Sequence, residues 1–208
     1  MGHAQLRDER HTVVEYLSWG EDAPRCELID GVVYDMAAPH IEHQRLVAAL
    51  HYELEAYRRE RLKSGGGDGR PPCDILFSPV DVILSDITVV QPDLIVVCRP
   101  EILADGRVRG APDLVVEVLS PRTAAKDKKQ KRRLYELAGV RQYLIVDPVS
   151  CLVELYSLGA DARYSAPEVL EPEDRLVLQV APGFDLTLAD IFAWPQPIEA
   201  REEFARYG

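Results

Sequence analysis

The stretch from Pro112 to Pro148, PDLVVEVLSPRTAAKDKKQKRRLYELAGVRQYLIVDP, constrains the fold more than any other part of the chain. Asp113 to Leu119 is a short run of apolar and β-branched residues, as expected of a strand buried on both faces. Ser120-Pro121 ends it, because proline has no N–H to donate and restricts the residue before it. Thr123 to Ala138 reads as a helix, and Gly139 suits the stop after it. Gln142 to Val146 is a second apolar strand, closed by Asp147-Pro148. The order is strand, turn, basic helix, turn, strand.

Two charged residues in this stretch fall where a purely structural protein would not place them. Glu117 sits inside the first strand, and an unpaired buried carboxylate is costly. On the helix, Lys131, Leu134, Tyr135 and Ala138 follow the i, i+3, i+4, i+7 rule and share one apolar face, with Ala124 and Asp127 close to it. Lys129, Arg132, Arg133 and Glu136 project away. An inward acid and an inward lysine are most simply accommodated by approaching each other.

The formal net charge of −11 argues against general affinity for nucleic acid, which needs a positive surface. The basic residues are nevertheless clustered. Arg122, Lys126, Lys128, Lys129, Lys131, Arg132 and Arg133 form one group and Arg58, Arg59, Arg61 and Lys63 another. Each reads either as a solvated helix face or as a local phosphate-binding surface. The 208 residues read as a single domain, with a core over about 12–192, a flexible loop at 64–72 and a tail at 194–208. No apolar run approaches the ~20 residues of a membrane helix, and the first residues lack a signal-peptide core. Cys26, Cys73, Cys98 and Cys151 are scattered without a CxxC pair, which reads as reduced, core-filling cysteines in a cytoplasmic protein with no membrane partner.

Thr12-Val-Val-Glu15 is a capping-box pattern opening a short helix through Trp19. Arg25 to Met36 reads as a β-hairpin turning at Asp30-Gly31. Glu27 lies on its first strand, either exposed or as a third acid of a site. His40 to Leu62 reads as a long helix with His43, Leu46, Val47, Leu50, Leu54 and Tyr57 on its apolar face. His43 is then a core or capping histidine, or a site residue. The glycines of Ser64 to Pro72 are not followed by Gly-Lys-Ser/Thr, which excludes a P-loop. Asp74 to Leu84 and Val89 to Cys98 each read as one strand, the latter with Asp93 near its start. Arg99 to Gly110 reads as a polar connection. Cys151 to Leu158 and Arg175 to Val180 read as strands, and Ala181 to Ala193 as a turn and short helix.

Asp113 and Glu117 share a strand, and at ~3.3 Å per residue they are ~13 Å apart, too far to bind one metal ion. Asp93 and Glu117 sit on different strands; if these are neighbours, ~4.8 Å apart, the two acids meet on one face. Such a pair favours Mg²⁺ or Mn²⁺, with a backbone carbonyl near Val118 as a further ligand. Two acids, a metal ion and the inward Lys131 suit phosphodiester hydrolysis.

This arrangement resembles the PD-(D/E)XK nuclease superfamily and, more closely, the Uma-two family of restriction-endonuclease-like proteins. The resemblance runs from about Thr12 to Phe192. It is carried by CELIDGVVYDM, the H-x-x-H-Q start at His40 to Gln44, SPVDVIL, VVQPDLIVV, the block from Gly110 to Pro148, and LTLADIF. It implies an α/β fold with a restriction-endonuclease-like core: a central mixed β-sheet of about five strands flanked by helices, with additional β-hairpins. It implies Asp93 as the acid of the PD motif and Glu117 as the acid of the (D/E)XK motif. The lysine expected two positions after Glu117 is Leu119 here, so Lys131 from the following helix takes that part. Asp127 would orient Lys131, Glu27 and His43 are further candidates, and Tyr135 is read as packing. The implied function is metal-dependent DNA cleavage by a homodimer; the other reading is a catalytically silent nucleic-acid- or protein-binding module on the same scaffold.

Overall fold

In the computed structural model, which describes residues 9–20, 23–64, 73–120 and 124–192, the apolar runs form two six-stranded sheets and a two-stranded ribbon. Helix α1 (Val13–Ser18) opens with the expected capping box between Thr12 and Glu15. Strands β1 (Cys26–Ile29) and β2 (Val32–Asp35) form a hairpin. Its turn residues Asp30 and Gly31 both have positive φ, 50° and 80°, as a two-residue type I′ turn requires. Helix α2 (Ile41–Lys63) buries Leu46, Val47, Leu50 and Leu54.

Two expected strands are each broken in two. Asp74 to Leu84 divides at Ser78-Pro79 into β3 (Asp74–Phe77) and β4 (Val82–Ser85), which lie in different sheets. Val89 to Cys98 divides at Gln91-Pro92-Asp93 into β5 (Thr88–Val90) and β6 (Leu94–Val97), again in different sheets. Proline cannot donate to a ladder, so the chain changes sheet where the sequence places one. Arg99 to Gly110 is more than a connection, for it holds a 3₁₀ turn and the short strands β7 (Leu103–Ala104) and β8 (Arg107–Arg109).

The central stretch folds as β9 (Leu114–Val118), helix α3 (124–138) and β10 (Gln142–Asp147), and β9 and β10 pair in parallel. Helix α3 is not uniform: Asp127–Lys131 is a π turn between α-helical ends. Gly139 follows in the left-handed conformation, φ 84°. After it come β11 (Leu152–Ser157), β12 (Glu168–Leu170), β13 (Arg175–Val177), β14 (Asp185–Thr187) and helix α4 (Leu188–Phe192).

The central sheet runs β12-β11-β10-β9-β6-β3 and is mixed; it has six strands rather than five. Its alternation places Leu114, Val116 and Val118 in the core shared with α2. Val115 and Leu119 lie on the opposite face, in the core shared with Tyr135 of α3 and Ile29 and Val82 of the second sheet. That second sheet runs β2-β1-β5-β4-β8-β7, and α1 packs Val13 with Cys26, Leu28, Val33 and Val89. The α/β class, the mixed central sheet and the additional hairpins are as expected. Among the described residues no helix is long and apolar enough to cross a membrane.

The cysteines correct the sequence reading. Cys73 and Cys98 form a disulfide. The β3–β6 register pairs Asp74 with Val97, so the two cysteines lie opposite each other one step further along. Cys26 is buried and free, and Cys151 is free. The loop at 65–72 and the tail from 193 lie outside the described residues.

Candidate active site

The site is built where β6 and β9 lie side by side. Their antiparallel register pairs Leu94 with Val116, which brings Asp93, one residue earlier, opposite Glu117. The Val118 N–H donates to Asp93 Oδ2 at 2.8 Å. On the first turn of α2, His43 Nε2 lies 3.0 Å from the same oxygen, and its Nδ1 is buried without a hydrogen-bond partner. The separate strands of the two acids are therefore neighbours, as the sequence argument required.

Lys131 comes down onto this sheet face from α3. Its Nζ lies 2.8 Å from Glu117 Oε1, 2.7 Å from Glu27 Oε1 and 3.8 Å from Asp127 Oδ1. The lysine is 4% exposed. Glu27 is not an exposed strand residue: it is 1% exposed, because β1 is an interior strand, flanked by β2 and β5 and buried at every position. Its Oε1 also accepts the Gln91 N–H at 3.2 Å, and Lys126 donates to its Oε2 at 2.7 Å. Tyr135 does more than pack, since its hydroxyl donates to Glu117 Oε1 at 2.8 Å. Lys126 was missed in the sequence because an α-helical period takes it off the face of Lys131. Tyr135 was on that face, and a hydroxyl four residues from an inward lysine was the signal.

Burial and charge set the protonation of this cluster. Burial pushes Glu27 up, but Lys131 and Lys126 outweigh it and hold the carboxyl at about 2. Burial lifts Glu117 well above its ordinary value; Lys131 opposes this, while Asp127, Asp93 and Glu27 add to it. Burial works against the charge of Lys131, yet Glu117, Glu27 and Asp127 hold its pKa well above the ordinary lysine value, so the ammonium stays charged. Glu27, Glu117 and Asp127 thus share the Lys131 ammonium, with Lys126 as a second cation at Glu27.

Half of the described basic run is paired with carboxylates of the protein itself. Lys126 pairs with Glu27, Lys131 with Glu27 and Glu117, and Lys128 with Glu154 at 2.6 Å. Arg132 lies over the Tyr156 ring, 5.7 Å from its centroid, while Lys129 and Arg133 are exposed. In the other group, Arg58 and Arg59 pair with Glu55. Arg122 lies outside the described residues.

A divalent ion fits the donor chemistry in part. Among the described residues no group of three or more His, Cys, Asp or Glu side chains is placed to hold a metal. The donors that exist are two carboxylates. Asp93 uses Oδ2 for its two contacts and Glu117 uses Oε1 for its two, so each has a second oxygen not engaged by them. Hard divalent cations accept such oxygen sets and complete them with water.

Residues 13–189 match the model of the Uma2 family, described as "Putative restriction endonuclease". The chain belongs to the Uma2 family. Among its relatives is the uncharacterized protein slr1290 of Synechocystis sp., 32% identical over 165 residues, covering 76% of this chain and 82% of the relative. Among solved structures it is similar to one described as a "putative nuclease belonging to DUF820" from Anabaena variabilis. That likeness has a TM-score of 0.70 at 20% identity and covers 88% of this chain and 98% of the other. At that identity it bears on the fold, and it agrees with the restriction-endonuclease-like architecture of this Uma2 chain.

Proposed function

We propose that this Uma2 protein is a metal-dependent endonuclease that hydrolyses DNA phosphodiester bonds through a PD-(D/E)XK-type site. The observation that supports the reading is the β6–β9 register, which sets Asp93 across from Glu117, together with Lys131 of the following helix 2.8 Å from Glu117 Oε1. Asp93, Glu117 and the Val118 carbonyl would hold Mg²⁺ or Mn²⁺. Bound there, such an ion would lower the pKa of a water and neutralise phosphate charge. Lys131 and Tyr135 fix the orientation of Glu117, and the Val118 N–H and His43 fix that of Asp93. The Lys131 ammonium, held charged by Glu117 and Glu27, places a positive charge beside the acids, where it would favour developing negative charge.

A homodimer belongs to this reading, since two related sites can address two strands. So does a cytoplasmic setting, in which the Cys73–Cys98 disulfide would be open to reduction. The second reading, a silent binding module, draws on the small donor set and on the complete engagement of Lys131 by carboxylates.

Calorimetric titration of Mg²⁺ and Mn²⁺ into wild type and Glu117→Gln, with a plasmid-nicking assay, separates them. The nuclease reading expects binding and nicking in wild type and neither in Glu117→Gln, with Lys131→Ala losing nicking. Wild-type protein that binds neither ion and does not nick would leave the scaffold as a binding module.

A further inference from the structure

Two lysines of α3 reach the acid cluster, and they are not equivalent. Lys131 is 4% exposed and its ammonium is enclosed by Glu27, Glu117 and Asp127. To touch a substrate phosphate it would have to leave two carboxylates that hold it at 2.7 and 2.8 Å. Lys126 has one carboxylate contact, to Glu27 Oε2, and its side chain keeps 20% of its surface exposed. Its Nζ also lies 4.8 Å from the centre of the Tyr34 ring, whose hydroxyl accepts from Gln130 at 3.3 Å. Glu27 and the Tyr34 ring thus hold this amine at the partly exposed edge of the cluster, with donor capacity left over. The π turn accounts for the pairing: five residues separate Lys126 from Lys131, which is one turn of i, i+5 geometry, so both meet the single carboxylate of Glu27.

We propose a division of labour in which Lys131 is a fixed counter-charge that positions Glu117, while Lys126 is the cation that contacts the substrate's phosphate backbone. The proposal rests on the nuclease reading above and names a substrate contact that the PD-(D/E)XK pattern does not supply. Without a cation at the rim, a phosphate would meet a site dominated by carboxylates. Lys126 supplies that cation, and Glu27 anchors it against the buried Lys131.

The test is binding of a fluorescein-labelled DNA duplex of mixed sequence, followed by anisotropy over a series of KCl concentrations with EDTA present. Each phosphate contact by a cation contributes about 0.9 to the slope of log K against log salt. Lys126→Gln is expected to flatten the slope by about that amount and to weaken binding at low salt; Lys126→Arg restores both. Lys131→Gln leaves the slope unchanged. In nicking assays with Mg²⁺, Lys126→Gln raises KM, whereas Lys131→Gln lowers kcat. Glu27 keeps Lys131 and the Gln91 N–H in Lys126→Gln, so the fold is retained, which circular dichroism checks. A folded Lys126→Gln with the wild-type slope overturns this proposal and leaves the nuclease reading standing. Wild-type protein with no affinity for the duplex overturns this proposal, and the absence of nicking with Mg²⁺ as well overturns both.

Discussion

Glu27 and Glu117 share one ammonium that lowers both carboxyls, yet burial wins at Glu117 and their net shifts run in opposite directions. The folded pKa of Glu27 is depressed from 4.5 to about 2, so its charge stabilises the fold above the unfolded value and that contribution is lost as pH falls through the folded one. Glu27→Gln should therefore destabilise the protein at neutral pH by about 3 kcal/mol, the scale for breaking a buried ion pair, and the deficit relative to wild type should shrink between pH 4.5 and 2. The raised pKa of Glu117 has the opposite sign: its ionised form opposes folding above the unfolded value. Glu117→Gln keeps an oxygen for Lys131 and Tyr135 and sheds surplus charge, so its Tm at neutral pH should equal or exceed that of wild type. Thermal unfolding of both variants over a pH series checks the pair. Tyr135→Phe removes a buried hydrogen bond to a carboxylate and should cost about 1.5 to 3 kcal/mol in denaturant unfolding. Lys131 was legible in the sequence because a lysine on an apolar helical face needs an acid to meet. Glu27 was legible only as one of two alternatives, an exposed strand residue or a third acid, because a hairpin read alone is assumed to face water on one side, and only the sheet shows β1 closed in by β2 and β5.

At the scale of elements, the π turn decides how α3 meets the sheets. A π turn is an α-helix with one residue inserted, so removing one residue from it should restore regular helix and keep the flanking turns in place. Deleting exposed Lys129 leaves Lys126 and Lys131 four apart in sequence, still on one face of an α-helix, and both remain able to bind Glu27. Deleting exposed Arg133, which lies outside the π turn, instead keeps the inserted residue and turns the upstream helix by about 100° relative to Tyr135, which shifts the Tyr135 hydroxyl against the lysine contacts at Glu117. The first deletion should fold with helix content near wild type by circular dichroism; the second should unfold at a clearly lower temperature. Regular periods made α2, β9 and β10 readable. The sheet changes after β3 and β5 were not, because the apolar pattern runs on past Ser78-Pro79 and Gln91-Pro92. The π turn hides for a related reason, since a 3.6-residue period fitted over 123–138 has no place for an inserted residue.

Across the whole molecule, the two sheets are joined by a segment that passes between them twice, from β3 to β4 and from β5 to β6, and the Cys73–Cys98 disulfide spans both passages. With a sequence separation of 25 between the two cysteines, chain-entropy reasoning assigns the bond about 3.5 kcal/mol of stabilisation. Reduction should lower the denaturant midpoint accordingly, while a Cys73→Ala/Cys98→Ala protein should be indifferent to reductant. No spacing rule announced this pair in the sequence, because its cysteines meet only through the β3–β6 register. Its topological consequence is that residues 73–98 form a covalent ring, and Asp93 is a member of that ring while Glu117 lies outside it. A single protease cut anywhere on the ring opens it without parting the chain, so one half of the acid pair stays tethered to the other. The nicked protein should migrate as one band on a non-reducing gel and as two once the ring is unlocked.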